Sequence, residues 1–387
     1  MSVDGKLVKT SAYYLAFIVI GMCVAILGPT LPDLARNTRS PISHLSFLFT
    51  ARALGYLIGA YLGGRIYDEV KGHPVMGGML IATALFLALI PQLEFLGVLI
   101  FVILLLGITE SVVDVGGNTL LVWIHRDKVS SYMNGLHFFF GVGGFLAPFL
   151  VAQVVKINNN FSWSYWVLSA IILPLAVLVF LIPSPSPKQA NEKYENGSIN
   201  WLLVGSVILF FFLWVGAEAG FSGWIYTYAL QSGLADKTVA AYLTSAFWGA
   251  FTIARLISVL MALTFKPVQI LFSSVVGTMG SLLIIVVYSD SYYALLFGTI
   301  GVGVFMASVF PTTLSFAERR MVLTGRITSF FFIGAGIGGM SLPWMMGQYI
   351  ESTPTISLAI LIGNLAFALL VLLWITLWLR PKIIARV

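Results

Sequence analysis

Apolar residues in this chain neither alternate nor recur as a thin stripe. They run in long blocks separated by short polar interruptions. A helix that crosses a bilayer needs roughly 20 such residues. Blocks of that length predict twelve spans, at 10–29, 43–64, 74–93, 95–123, 130–155, 162–182, 200–228, 237–262, 268–288, 291–314, 325–349 and 355–379. The longest polar stretch, Pro183 to Ser198, is rich in proline and charge and reads as an extended tether. It divides the spans six and six. The expected organisation is a six-helix bundle over 1–182, a linker over 183–199 and a second six-helix bundle over 200–387.

The halves read as repeats. Span five contains Phe138-Phe-Phe-Gly-Val-Gly-Gly-Phe-Leu-Ala-Pro148, and span eleven contains Phe330-Phe-Phe-Ile-Gly-Ala-Gly-Ile-Gly-Gly-Met-Ser-Leu-Pro343. Gly143, Gly144 and Pro148 match Gly338, Gly339 and Pro343 at a constant offset of 195. Parallel six-span repeats point to the major facilitator architecture, in which substrate sits near mid-membrane between the halves. The predicted fold class is an all-α membrane protein of twelve transmembrane helices in two six-helix pseudo-repeat halves.

Composition narrows the class. The chain is 59% hydrophobic and 9% charged, against about 25% charged in soluble domains. A soluble protein is excluded. The lone Cys23 excludes an internal disulfide and a cysteine-based metal cluster. The apolar run after the short basic N-terminus ends at Gly28-Pro-Thr-Leu-Pro32, which has no small-residue cleavage pattern, so it reads as an uncleaved first span.

The net charge of +6 is explained by orientation rather than by an anionic partner. Of 21 Lys and Arg, only Arg36, Arg39, Lys156 and Lys237 fall in outer loops when the N-terminus is placed inside, and Arg52 and Arg255 fall within spans. The remainder lie on the inner side, which predicts both termini in the cytoplasm. Short loops fit a bacterial inner membrane. No nucleic-acid partner is implied, and nothing in the sequence marks an oligomer, so a monomer in the lipid bilayer is expected.

Candidate chemistry begins in span four. Glu110, Asp114 and Asn118 stand at i, i+4 and i+8, one polar stripe over two turns. An ionisable group inside a membrane helix costs at least ~2.5–3.5 kcal/mol and faces a bundle interior or watery cavity. Two functional readings fit. One is a proton site, because two acids sharing a low-dielectric site do not both carry charge cheaply. The other is an alkali-cation site, because carboxylate, carboxamide and backbone carbonyl supply hard oxygen ligands. Helix-packing hydrogen bonds are the structural alternative.

In span five, Asn134 and His137 lie at about the depth of Asp114. They can approach it if the two spans face one cavity, where His137 can titrate or bond a substrate hydroxyl. In span seven, Trp214-Val-Gly-Ala-Glu218-Ala-Gly-Phe-Ser-Gly-Trp224-Ile-Tyr-Thr-Tyr228 carries the second half's intramembrane acid, Glu218. Trp224, Tyr226 and Tyr228 read either as an interfacial belt or as a sugar-stacking platform. Trp248, Trp344, Gln348 and Asn364 are further polar or aromatic residues within spans. Arg255 can snorkel towards the inner side, and Arg52 is placed to pair with an acid.

The loop Gly63-Gly-Arg65-Ile-Tyr-Asp68-Glu-Val-Lys71-Gly, between spans two and three, resembles the signature of major facilitator transporters. Arg65 and Asp68 can pair locally or with Glu318-Arg319-Arg320 as a cytoplasmic gate. A solvated turn is the plainer alternative.

Three segments carry a closer resemblance. Asp114-Val-Gly-Gly-Asn118, Asn134-Gly-Leu-His137-Phe-Phe-Phe-Gly and Gly216-Ala-Glu218-Ala-Gly-Phe-Ser-Gly-Trp224 resemble the sodium-dependent glucose transporter group, close to the L-fucose:proton symporters. The resemblance implies that Asp114 is the coupling carboxylate. Fucose symporters also carry a span-one aspartate, and span one here has no acid between Tyr13 and Gly28. Glu110 or Glu218 is then the candidate second acid.

The expected function is secondary transport of a hexose-like sugar, a monosaccharide, by alternating access with proton or sodium symport and no other cofactor. Coupling falls to Asp114, Glu110 and Glu218. Substrate binding falls to Asn118, Asn134, His137, Glu218, Trp224, Trp248, Trp344 and Gln348. A drug:proton antiporter is the same-class rival. A membrane enzyme or a non-transporting sensor is the rival from another class, and no HExxH, G-x-S-x-G or P-loop motif supports an enzyme.

Overall fold

The computed structural model describes residues 3–125, 129–185, 200–321, 323 and 325–379. The tether falls outside the described residues from 186 onwards. So do Arg126, Lys128, Arg380, Lys382 and Arg386, and the side chain of Arg326.

Among the described residues, twelve helices are long and apolar enough to cross a membrane. Spans one to six are Gly5–Asn37, Ile42–Glu69, Gly72–Gln92, Leu96–His125, Ser131–Asn158 and Ser162–Leu181. Spans seven to twelve are Trp201–Gln231, Lys237–Thr264, Pro267–Val287, Tyr292–Glu318, Ile327–Gly347 and Pro354–Trp378. All twelve predicted spans are present. Span one starts, and span twelve ends, at what we term the terminal end of the bundle; the opposite end is the far end.

Two spans differ from the expectation, both because of proline. Span one was expected to stop at Gly28-Pro29, yet its helix continues to Asn37 through Pro29 and Pro32. A helical proline removes one N–H, and a neighbouring hydroxyl can re-engage the local carbonyls. Between the two prolines Thr30 Oγ1 donates to Ile26 O at 2.9 Å and Leu27 O at 3.1 Å, neighbours of the Ala25 and Gly28 carbonyls that the prolines leave without a helical donor. Span ten is not continuous: one helix ends at Met306 and the next begins at Val309. Pro311 lies four residues after Ala307 and has no N–H to give its carbonyl. Arg255 Nε supplies the missing donor, at 3.3 Å from Ala307 O.

Glycines set how closely spans two and four approach. Gly55 and Gly59 face the backbone of Leu104 and Ile108, and Gly107 faces that of Arg52. Side chains at any of these three positions would collide with main chain, which cannot yield. Small residues at the contact are how helices pack in lipid, where no hydrophobic drive brings them together.

Two seams join the halves. Spans five and eight run antiparallel: Phe149 packs against Tyr242 (6.0 Å between ring centroids), Ser245 Oγ donates to Phe145 O (3.2 Å), and Gly144 seats the Trp248 ring. Spans two and eleven repeat the arrangement: Phe47 packs against Trp344 (6.1 Å) and Thr50 Oγ1 donates to Met340 O (3.3 Å). Each residue named in one seam's hydroxyl and ring contacts differs from its counterpart in the other by 195. On the axis between the halves Gly28 faces the Gly223 backbone, and these two glycines are separated by the same offset. The pseudo-repeat read from three positions thus governs the interface.

The far end is closed by polar links, of which only the cross-half glutamines recur at the offset: Gln153 Nε2 donates to the Tyr242 hydroxyl at 2.8 Å, as Gln348 does to span two. Asp33 binds both Arg36 and Lys237, the latter at 2.8 Å across the halves. Glu351 accepts from the Ile42 N–H at 3.2 Å, and Gln348 Nε2 donates to Ser46 Oγ at 3.1 Å. At the terminal end Arg65, Asp68, Glu318 and Arg319 are exposed. Arg65 lies over the Tyr61 ring (4.5 Å) and Arg320 over the Phe316 ring (3.8 Å). Among the described residues no ion pair joins these five charged side chains to one another. The polar ties between the halves named here gather at the far end, and the terminal end is the more exposed one, from Asn134 and His137 to Arg65, Asp68, Glu318 and Arg319.

A candidate transport site between the two halves

The stripe on span four meets a matching stripe on span two. The two spans run parallel, and Arg52 and Tyr56 are spaced as Glu110 and Asp114 are. Arg52 Nε and Nη2 both donate to Glu110 Oε2, at 2.9 and 2.5 Å. One turn on, the Tyr56 hydroxyl donates to Asp114 Oδ2. Asn118 Nδ2 donates to Asp114 Oδ1 at 3.0 Å and to the Asp114 backbone carbonyl at 2.9 Å.

The two acids therefore differ in kind. Glu110 is 1% exposed and carries its counter-ion with it. Removing one partner of such a buried pair is costly, while the pair itself is close to neutral in its field. Asp114 is partly exposed and is held by two uncharged donors. Hydrogen bonds orient its oxygens without cancelling its charge. Of the three coupling candidates, Glu110 is neutralised, Asp114 is not, and Glu218 accepts no hydrogen bond among the described residues while feeling the field of Arg255.

The sequence offered a signal for the span-two contribution. Arg52 was expected to pair with an unspecified acid. Tyr56 was missed, although it stands one turn beyond Arg52, as Asp114 stands one turn beyond Glu110.

The other candidates fall in four places. Asn118, Asn134 and His137 lie on the terminal side of the level where the seams part, and Asn134 and His137 are exposed there. Glu218 lies on the far side of that level, between Gly216, which packs on Leu342, and Gly220, which packs on Met346. His137 and Asp114 are not joined: the Phe17 ring stands edge-on to His137 at 5.9 Å and packs against Gly117 of span four. Trp248 is buried in the seam between spans five and eight, 2% exposed, among Phe140, Phe247 and Phe251. Trp224, Trp344 and Gln348 belong to the far-end closure. Trp224 Nε1 donates to Pro343 O at 2.8 Å, and its ring meets Phe49 of the other half at 5.4 Å. Trp344, with Phe47, lines an apolar groove of about 210 Å³ beside spans two and eleven.

Arg255 ties this region together. It lies over Phe251 (4.6 Å), holds the Ala307 carbonyl, and its charge acts on both Glu218 and His137. Polar groups on intramembrane helices of both halves, carboxylates without an ion pair among the described residues and a closed far end are the features of a membrane transporter.

The chain belongs to the Major Facilitator Superfamily, whose family profile matches residues 13–343. It is 32% identical to sodium-dependent glucose transporter 1A of Mus musculus, over 86% of this chain and 88% of that protein. It is 30% identical to sodium-dependent glucose transporter 1 of Homo sapiens, over 86% and 71% of the two chains. Among solved structures, the nucleoside transporter NupG superposes with a TM-score of 0.75 at 14% identity, covering 97% of this chain and 98% of its own. A bacterial homologue of the lysosomal transporter Spinster superposes with a TM-score of 0.72 at 10% identity, covering 97% and 96%. At those identities the structural likeness speaks for the fold.

Proposed function

We propose that this transporter carries a hexose-like sugar by alternating access, driven by symport of a cation, proton or sodium, that engages Asp114. The observation that supports it is the contrast between the two acids of span four: Glu110 has Arg52, and Asp114 has no counter-ion. Occluding a bare carboxylate in a low-dielectric bundle is expensive. A bound cation removes that cost, so the loaded carrier crosses and the half-loaded carrier does not. Asn118, Asn134, His137 and Glu218 supply hydroxyl-binding groups on both faces of the cleft. The names of the relatives at about 30% identity agree with sugar and with sodium.

The distribution of lysine and arginine supports cytoplasmic termini, and on that reading the parted end faces inward and Asp33–Lys237 closes the outside. The test is uptake in proteoliposomes over a panel of sugars, with nucleosides included, under imposed sodium or proton gradients. Asp114→Asn is expected to abolish concentrative uptake while leaving sugar counterflow. Wild-type accumulation by that variant would overturn the assignment.

A further inference from the structure

The two seams end alike, and where they end is informative. Followed from the far end, the seam of spans five and eight closes at Gly141, onto which Thr252 folds its side chain. The seam of spans two and eleven closes at Gly336, onto which Leu57 folds. Gly141 and Gly336 are related by the offset of 195, and so are Leu57 and Thr252. Past these levels side chains along the seams become exposed: His137 on one seam, and Phe332 and Tyr61, 45% and 61% exposed, on the other.

Alternating access requires the reverse arrangement as well, with the far end parted and the terminal end closed. Bundles packed as densely as protein interiors move as near-rigid bodies. In such a motion the contacts at the ends travel furthest and those on the rotation line travel least. The innermost contact of each seam is the one that can persist in both states. A glycine there gives the partner side chain a bare backbone surface, so the contact can tilt without a Cβ ratcheting past it.

We propose that Gly141–Thr252 and Gly336–Leu57 together form the fulcrum on which the two halves rock. The two pairs are not equally strict. A Cβ at residue 141 would overlap the Thr252 hydroxyl, which sits on a β-branched side chain with few rotamers. A Cβ at residue 336 would lie 2.8 Å from Leu57 Cδ2, the tip of a side chain that can turn away. The fulcrum rests on the chain being a transporter and not on the sugar or the cation.

The experiment reads state exchange without substrate. In a Cys23→Ser background, spin labels at Arg39→Cys and Gln231→Cys report the far-end separation, and labels at Glu69→Cys and Phe265→Cys report the terminal-end separation. Wild type is expected to populate two distances at each end, in anticorrelation. Gly141→Val is expected to collapse them to one, with loss of uptake. Gly336→Ala is expected to reduce exchange less than Gly141→Ala does. Gly78→Ala and Gly363→Ala, where an added Cβ meets nothing within 4 Å, are expected to match wild type.

The decisive variant moves the glycine across the seam. Gly141→Thr combined with Thr252→Gly is expected to recover both distances and uptake that Gly141→Thr alone loses. It also serves if Gly141→Val fails to fold. The fulcrum is overturned if Gly141→Val exchanges as wild type does, or if the folded swap variant stays as impaired as Gly141→Thr.

Discussion

At the scale of single residues, the membrane makes charge expensive enough that its placement can be read as intent. Arg52 and Glu110 are the clearest case. With the pair intact each ion is matched; with one removed the other is stranded in a buried, nearly dry position. Arg52→Leu should therefore destabilise the protein by about 3–5 kcal/mol, seen as a fall in thermal stability in detergent. Adding Glu110→Leu to that variant should return much of the loss. Additive destabilisation by the two changes would show that the pair is not the origin of the cost. Asp114 is the counterpart that was left unmatched, and the Tyr56 hydroxyl and Asn118 carboxamide fix the direction of its lone pairs.

Part of this was legible in the sequence. The spacing of Glu110, Asp114 and Asn118 announced a polar face, and Arg52 announced a pair. The division of labour between the acids was not legible, because it depends on the register between spans two and four. Gly55, Gly59 and Gly107 set that register through backbone contacts that leave no mark on hydropathy.

At the scale of elements, the break in span ten shows how a helix defect and a buried cation solve each other's problem. Pro311 leaves the Ala307 carbonyl without its helical donor, and Arg255 brings a donor that needs an acceptor. Pro311→Ala restores an N–H four residues from that carbonyl and should close the helix. Arg255→Leu should then cost roughly 1 kcal/mol less in the Pro311→Ala background than in wild type. The measurement is a double-mutant cycle on thermal stability, and a coupling of zero would separate the two features. Hydropathy counting placed span ten correctly and missed its break, because Pro311 sits in a block as apolar as its neighbours. Span one errs the other way: its prolines looked like an end, and the helix runs on through both to Asn37.

At the scale of the whole molecule, the closed end and the open end are held by different chemistry. The seams repeat at an offset of 195 and are largely apolar, with one hydroxyl-to-carbonyl bond each. The far-end ties are ionic or polar and, apart from the glutamines Gln153 and Gln348, occur once. Asp33 carries two of them. Asp33→Asn is expected to shift the population towards the far-end-parted state, read as growth of the longer distance between labels at Arg39→Cys and Gln231→Cys. No change in that distribution would show that the seams alone set the balance. Repeat symmetry was visible in the sequence from Gly143, Gly144 and Pro148; the asymmetric latch was not, since nothing local links Asp33 to Lys237.

The salt bridge between spans two and four has an electrical consequence. Because Arg52 travels with Glu110, and with Glu218 balanced by the field of Arg255 in the proposed cycle, Asp114 is the one charge that changes with loading. The loaded carrier crosses as a neutral body, whereas the empty carrier returns with one negative charge. A membrane potential acts on such a charge with ~2.3 kcal/mol per 100 mV across the full field. An inside-negative voltage would then speed the outward return of the empty carrier and leave the loaded step untouched, so voltage would set the turnover rate by way of the step that carries no sugar.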